Sequence, residues 1–391
     1  MTPLMRLAWR YVAYHRGRTA VLALCIALVV VLPVAVELLV GVYRDQLEGR
    51  ANATPMVVGA PGSPYDLLLH SIYFRGDAGR SLGMLEVINV REGGLALPVP
   101  IYLKDTAEGH PVVGTTGDYH RFRRLQVASG RLPLRLGEAL LGSETASALG
   151  LSVGDRILSD SGNLYDISST YPLKMQVVGV LAPSGSADDG AVFVDLKTTW
   201  VIRGIGHGHD ELDTTSDPNL LISQEASHVI ATSAVVEYTE ITDENRDSFH
   251  FHAGPDGLPI TAFIAEPIDE RSGTILRSRL RAREDVQLLV PIEQLREMMS
   301  VVFQVKRFLD ANGILVTVST GLLLALIIAL DLRVRRRQME TLMHIGAPRG
   351  TVGRLVALEM SMTISFGLLL AAAVVTIALV WLASGPVWLP Q

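Results

Sequence analysis

Three long apolar runs constrain this chain more than any other feature of its sequence. They cover residues 19–43, 314–331 and 355–383. About 20 consecutive apolar residues cross the hydrocarbon core of a bilayer as a helix. A cleaved signal peptide has a shorter apolar region, followed by a small-residue cleavage site, and this description does not fit the first run. We therefore predict three transmembrane helices, the first of them uncleaved.

Arginine residues flank these runs unevenly and predict the orientation of the chain. Those ahead of the first run, and those between the second and third, are Arg6, Arg10, Arg16, Arg18, Arg333, Arg335, Arg336, Arg337, Arg349 and Arg354. Short loops rich in Lys and Arg stay in the cytoplasm. Residues 1–18, which mix aromatic and apolar residues with arginine, are predicted to form a cytoplasmic interfacial helix. Residues 332–354 are then a cytoplasmic loop, and residues 384–391 an outer tail.

The composition limits what the rest of the chain can be. Of 391 residues, 49% are hydrophobic and 19% are charged, which predicts membrane helices combined with a soluble domain. The net charge of -6 gives no basic excess for nucleic-acid binding. No Gly-Lys pair occurs, so the chain lacks the P-loop that holds the phosphates of ATP.

The region between the first two spans is predicted to be an α+β extracytoplasmic domain over residues 44–290. Short β-type runs at 97–103, 176–181, 191–194 and 235–241 alternate with turn residues, and one short helix pattern covers 144–149. A stalk helix is predicted over 291–313, from apolar residues at helical spacing that include Ile292, Leu295, Met299 and Phe303. This helix either continues into the second span or ends at Asn312-Gly313.

Four blocks of this domain, in order, carry a resemblance to a known family. They lie at 130–142 (GRLPLRLGEALLG), 146–155 (ASALGLSVGD), 177–181 (VVGVL) and 189–194 (DGAVFV). Together they resemble the periplasmic core domain of MacB-type ABC transporter permeases. The cytoplasmic segment 335–347 (RRRQMETLMHIGA) resembles the matching segment of the MacB, LolC/LolE and FtsX permeases. Two departures stand out: Gln338 replaces the usual acidic residue, and three spans are found where the family usually has four.

The resemblance implies an inner-membrane permease subunit with no catalytic or cofactor site of its own. A separate ABC ATPase would bind ATP and Mg²⁺ and would contact a coupling helix in the cytoplasmic loop through Arg337, Met339, Glu340, Leu342, Met343, Ile345 and Gly346. A second permease copy, a periplasmic adaptor or lipoprotein, and membrane lipid are the other expected partners. The implied work is efflux or lipoprotein export by mechanotransmission. The alternatives are an FtsX-like regulator of cell-wall hydrolases and a metal-responsive membrane sensor.

Two His-x-His pairs suggest a metal site in the outer domain. They are His207 with His209, and His250 with His252. On an extended segment, residues two apart point to the same face, and imidazole suits zinc or copper. Surface loop histidines are the commoner explanation of such pairs. The four histidines are therefore a candidate metal site and not an assigned one.

Overall fold

A computed structural model of the chain contains two compact units. One consists of residues Met1–Asp45 and Met299–Gln391, and the other of Gln46–Met298. The structure describes residues 3–77, 79–160, 172–208, 221–225, 228–231, 238–251, 253–334, 336–344 and 348–384. The unit formed by Gln46–Met298 is called the outer domain below.

The helices of the described residues fall into long apolar helices and short helices of the outer domain. In chain order they are α1 (Pro3–Tyr14), α2 (Arg16–Asn52), α3 (Pro64–Tyr73), α4 (Met84–Glu92), α5 (Gly117–Arg123), α6 (Ser143–Leu149), α7 (Leu196–Ile202), α8 (Glu270–Arg281), α9 (Pro291–Val334), α10 (Arg336–His344) and α11 (Arg349–Ser384). Among the described residues, three segments are long and apolar enough to cross a membrane: Arg16–Leu38, Arg307–Ile327 and Gly350–Val380. These agree with the three predicted spans.

Helix α9 shows that the predicted stalk and the second span belong to one element. It runs from Pro291 to Val334 and continues through Asn312 and Gly313. Pro291 begins it, at a position where a missing N–H removes no helical hydrogen bond. A single helix forms because Pro291 fixes φ at the first residue and a long apolar stretch follows.

Within its described residues, the outer domain is built on one large mixed sheet, accompanied by three two-stranded sheets. The strands are β1 (Val57–Gly59), β2 (Leu82–Gly83), β3 (Ala96–Ala107), β4 (His110–Thr115), β5 (Val127–Gly130), β6 (Glu138–Leu141), β7 (Arg156–Leu158), β8 (Lys174–Leu181), β9 (Val192–Asp195), β10 (Gly206–Gly208), β11 (Leu221–Glu225), β12 (His228–Ala231), β13 (Phe249–Phe251), β14 (Pro259–Ile260), β15 (Ala262–Pro267) and β16 (Gln287–Leu289). Over the described residues the large sheet has ten strands in the order β16-β1-β15-β3-β4-β9-β6-β8-β5, with β7 also paired to β8. Only β4·β9 and β6·β8 are parallel among these pairings. The predicted α+β class is confirmed.

Strand β3 contains two prolines, although proline is normally excluded from central strands. Pro98 and Pro100 pair with β15, whereas the pairing of β3 with β4 begins only at Ile101. The missing N–H groups therefore remove no hydrogen bond of the β3–β4 ladder. This register explains how the buried run at 97–103 forms a strand.

The strand predicted over 235–241 is wrong at 238–241, and the sequence analysis did not predict several of the short helices. Residues 238–241 are not in a strand; Glu240 makes a single bridge with Lys174 there, and 235–237 lie outside the described residues. Besides α6, the outer domain contains α3, α4, α5, α7 and α8. Three of these have side-chain caps that the sequence signals. Ser63 accepts from the amide of Asp66, Asp195 from that of Lys197, and Asp269 from that of Ser272.

Candidate functional site

The last turn of α2 is held in the outer domain by a buried arginine. Arg50 donates from Nη1 to Asp188 Oδ2 at 2.5 Å and from Nη2 to Asp188 Oδ1 at 2.9 Å. Its other donors reach Ser186 Oγ at 3.1 Å, Tyr119 Oη at 3.0 Å and the carbonyl oxygen of Ile72 at 2.5 Å. All five guanidinium N–H groups can thereby be satisfied. We call this set (Arg50, Asp188, Tyr119, Ser186 and the Ile72 carbonyl) the Arg50 anchor.

The electrostatics of the Arg50 anchor favour the charged pair. Burial by itself would raise the pKa of Asp188, but the Arg50 guanidinium and the Tyr119 hydroxyl lower it to about 2. Tyr119 donates to Asp188 Oδ1 at 2.7 Å, and burial raises the pKa of this phenol. Asp188 therefore stays ionised and Tyr119 stays neutral at physiological pH. A second contact, Tyr73 Oη to the carbonyl of Leu47 at 2.7 Å, holds the same end of α2.

The turn that contributes Asp188 to the Arg50 anchor is itself tightly bonded. Asp189 accepts from the amides of Ser184 and Gly185 at 2.9 Å and 2.7 Å. The hydroxyl of Ser184 donates to Asp189, and that of Ser186 donates to Asp188. These serines thus hold a turn, in keeping with the absence of a Gly-x-Ser-x-Gly motif in the sequence.

A buried histidine beside the Arg50 anchor makes the domain sensitive to acid. Burial lowers the pKa of His120 from 6.5 to about 4, so the fold holds the neutral ring while the unfolded chain takes up a proton. The destabilisation should begin below pH 6.5, grow as the pH falls and level off near pH 4. It should reach about 3 kcal/mol. We expect the thermal unfolding of His120→Gln to lose this part of the pH dependence between pH 7 and pH 4.

The comparison of His120→Gln with the parent protein isolates this effect. His70 is also buried and its pKa is also lowered by burial, so it contributes in the same direction in both proteins. The lowered pKa of Asp188 affects stability only near the acid end of this range, and it does so equally in both proteins. Equal pH dependence of the melting temperature in the two proteins would contradict the prediction.

The structure explains the residue pattern of the first of the four sequence blocks, residues 130–142. Arg131 donates to the Glu138 carboxylate from both guanidinium ends, at 2.7 Å and 2.5 Å. Burial would raise the pKa of Glu138, but these bonds and the amides of Leu134 and Arg135 lower it. Residues 131–137 thus form a loop that is closed on the buried carboxylate of Glu138, the first residue of β6.

The glycines of these blocks serve two purposes. Gly137, Gly150 and Gly154 have positive φ, as turn positions predict. Gly142 does not; a Cβ there would lie 2.2 Å from the carbonyl oxygen of Asp189. It is needed so that β6 can approach the turn of the Arg50 anchor.

The predicted stalk residues lie at the start of α9. Leu295 and Met299 are buried and Ile292 is half-buried, whereas the side chain of Phe303 lies outside the described residues. Beyond them the exposed side chains include Val305 and Phe308. The stalk assignment stays a prediction.

The predicted coupling segment contains a short helix, α10. Arg337 is exposed, Met343 is half-buried, and Glu340 pairs with Arg336 at 3.1 Å. The side chains of Met339 and Leu342, and residues Ile345 and Gly346, lie outside the described residues. A contact with an ATPase is therefore a proposal and is treated below.

Two of the four candidate metal ligands are brought together. His207 of β10 pairs directly with His250 of β13, and their ring centroids are 4.9 Å apart. His209 and His252 lie outside the described residues. In the part of the chain that the structure describes, there is no group of three or more His, Cys, Asp or Glu residues arranged to hold a metal.

Helix α1 packs on the spans of its own unit. Its Trp9 ring lies 5.9 Å from that of Phe366 in α11. A cavity of about 270 Å³ lies beside them, lined by Trp9, Val12, Ala13, Arg16, Thr19, Ala20, Ala23 and Phe366.

These features define a class: an α+β domain carried between helices that can span a membrane. A sequence profile of the MacB-like periplasmic core domain matches residues 19–238, more than half of the 391-residue chain. The chain therefore belongs to this family and is a permease of the MacB/FtsX type of ABC transporter. The family implies an ABC ATPase partner and an inner-membrane location.

Two solved structures are similar to parts of this chain. The periplasmic region of MacB from Actinobacillus actinomycetemcomitans is 10% identical, covers 64% of this chain and 95% of its own, and has a TM-score of 0.36. The extracellular domain of the noncanonic ABC-type transporter YknZ from Gram-positive bacteria is 11% identical, covers 60% and 99%, and has a TM-score of 0.33. No curated protein sequence matches the chain.

Proposed function

We propose that this chain is the permease of a type VII ABC complex that works on a periplasmic substrate by mechanotransmission. A separate ATPase hydrolyses ATP at the cytoplasmic loop, and the outer domain acts in efflux or lipoprotein export. The N-terminus and the loop 332–354 face the cytoplasm, and the outer domain faces the periplasm. The outer domain acts on the substrate at the periplasmic face, and the substrate does not cross the bilayer through a pore.

The observation that carries this proposal is the continuity of two helices. Helix α2 contains the span Arg16–Leu38 and ends in the Arg50 anchor, with Ala51 fully buried. Helix α9 contains the span Arg307–Ile327 and begins next to the buried Leu295. A continuous helix resists bending over a few turns, so a displacement at one end is carried to the other. This is what a mechanical coupling between a cytoplasmic motor and an outer domain requires.

A second copy of the chain is part of the proposal. In the span Arg307–Ile327 none of the apolar window is buried within the single chain. A two-fold dimer around the first two spans would cover part of this surface, and homo-oligomers of this kind are usually closed by two-fold symmetry. Lipid covers the remainder.

The contact with the ATPase can be tested at α10. We expect Met343→Asp to abolish co-purification of the ATPase from detergent-solubilised membranes. A carboxylate in a desolvated docking face loses its hydration without gaining a partner. The measurement is the amount of ATPase recovered per permease.

Leu134→Asp is the matched control, because it makes the same chemical change at an exposed leucine of the outer domain. It should recover as much ATPase as the parent protein. Full recovery with Met343→Asp would remove α10 from the contact, and absence of any ATPase with the parent protein would refute the proposed function.

A further inference from the structure

The cross-strand pair of histidines has a defined orientation. His207 and His250 are register partners in the two-stranded sheet β10–β13. Side chains alternate between the two faces of a strand. Phe249 and Phe251, the neighbours of His250, pack against the hydrophobic core. The two imidazoles therefore share the opposite face, where both are half-buried.

The tautomer of one ring is set by the backbone. His250 Nδ1 lies 3.0 Å from the carbonyl oxygen of Ser248. A carbonyl can only accept, so Nδ1 carries the proton and the lone pair of the neutral ring is at Nε2. Histidines that bind metals commonly donate their second ring N–H to a backbone carbonyl in this way. His250 thus has the arrangement of an Nε2 ligand.

The spacing of the two rings fits a single ion. In a tetrahedral zinc site with bonds of about 2.0–2.1 Å, two ligating nitrogens lie roughly 3.4 Å apart and the centres of their rings about 5 Å apart. The observed centroid distance is 4.9 Å, with an angle of 73° between the ring planes. Imidazole is a ligand for zinc as well as for copper and nickel, so histidine is a suitable residue for binding zinc.

We propose that His207 and His250 bind one Zn²⁺ ion across the β10–β13 ladder. The ion is held by two imidazole nitrogens, and its remaining coordination positions are open to water or to a donor from another molecule. It links two strands that are distant in sequence. This site is independent of the ATPase contact and of the Arg50 anchor.

Zinc titration of the purified full-length protein tests this proposal. The protein carries a tag without histidine, is freed of metal with a chelator, and is titrated with Zn²⁺ in detergent by isothermal calorimetry. We expect one saturable site per chain. We expect His207→Gln and His250→Gln each to weaken binding roughly tenfold or more, since loss of a ligand costs at least as much as loss of its supporting contact.

Two further variants decide between explanations. His344→Gln, a change at an exposed histidine of α10, should leave zinc binding unchanged. His250→Cys should keep binding, because it retains a zinc ligand in the same register. No saturable site in the parent protein would overturn the proposal. So would unchanged affinity in His207→Gln and His250→Gln.

Discussion

Asp188→Asn should destabilise the outer domain by about 3–5 kcal/mol, which is a large fraction of the stability of a domain. The side chains of Arg50 and Asp188 are only 8% and 1% exposed. Removal of the carboxylate charge leaves the guanidinium buried without its counter-ion, and this uncompensated charge is the source of the cost. Calorimetric unfolding of the solubilised protein, compared with the parent, measures the effect.

Two controls make this result specific to the Arg50 anchor. Asp243→Asn changes a carboxylate that is 78% exposed and pairs with Arg135 and Arg246, and it should cause little change in stability. The double variant Arg50→Met with Asp188→Leu removes both charges and should recover much of the loss. Equal stability of Asp188→Asn and the parent protein would show that the pair does not stabilise the domain.

A break in α9 outside the membrane should uncouple the two ends of the complex. We expect four glycines inserted between Gln304 and Val305 to leave the ATPase activity of the complex in place. The same insertion should abolish nucleotide-dependent changes in hydrogen exchange within Gln46–Met298. Each glycine weakens a helix by about 1 kcal/mol relative to alanine, so the insert is expected to bend freely.

The position of this insert follows from the structure. Residues 311–313 lie within the span Arg307–Ile327, where a lipid-embedded backbone keeps its helical hydrogen bonds even at glycine. Gln304 and Val305 precede the span. Four alanines at the same place form the control, since they add the same length but remain helical. If the glycine and alanine inserts have equal effects, rigidity of α9 is not what transmits the change.

The local signals in the sequence were strong for the membrane helices and weak inside the outer domain. The apolar runs and the arginine clusters were sufficient to predict three spans. Transfer of a run of about 20 residues into lipid depends on its composition. In the domain, β3, β8 and β9 were recognisable as buried apolar runs. Helices such as α5 and α7 were not, since seven residues give too little periodicity to distinguish a helix from a strand.

The sequence by itself determined the class of this protein: spans, an outer α+β domain between the first two, and the blocks shared with MacB-type permeases. The tertiary structure alone decided what fixes the last turn of α2 within the outer domain. Arg50 and Asp188 are 138 positions apart, and no local pattern links them. His207 and His250 lie side by side only because β10 and β13 pair in one register. Composition and periodicity act along the chain, whereas these contacts depend on which distant strands and turns the fold brings together.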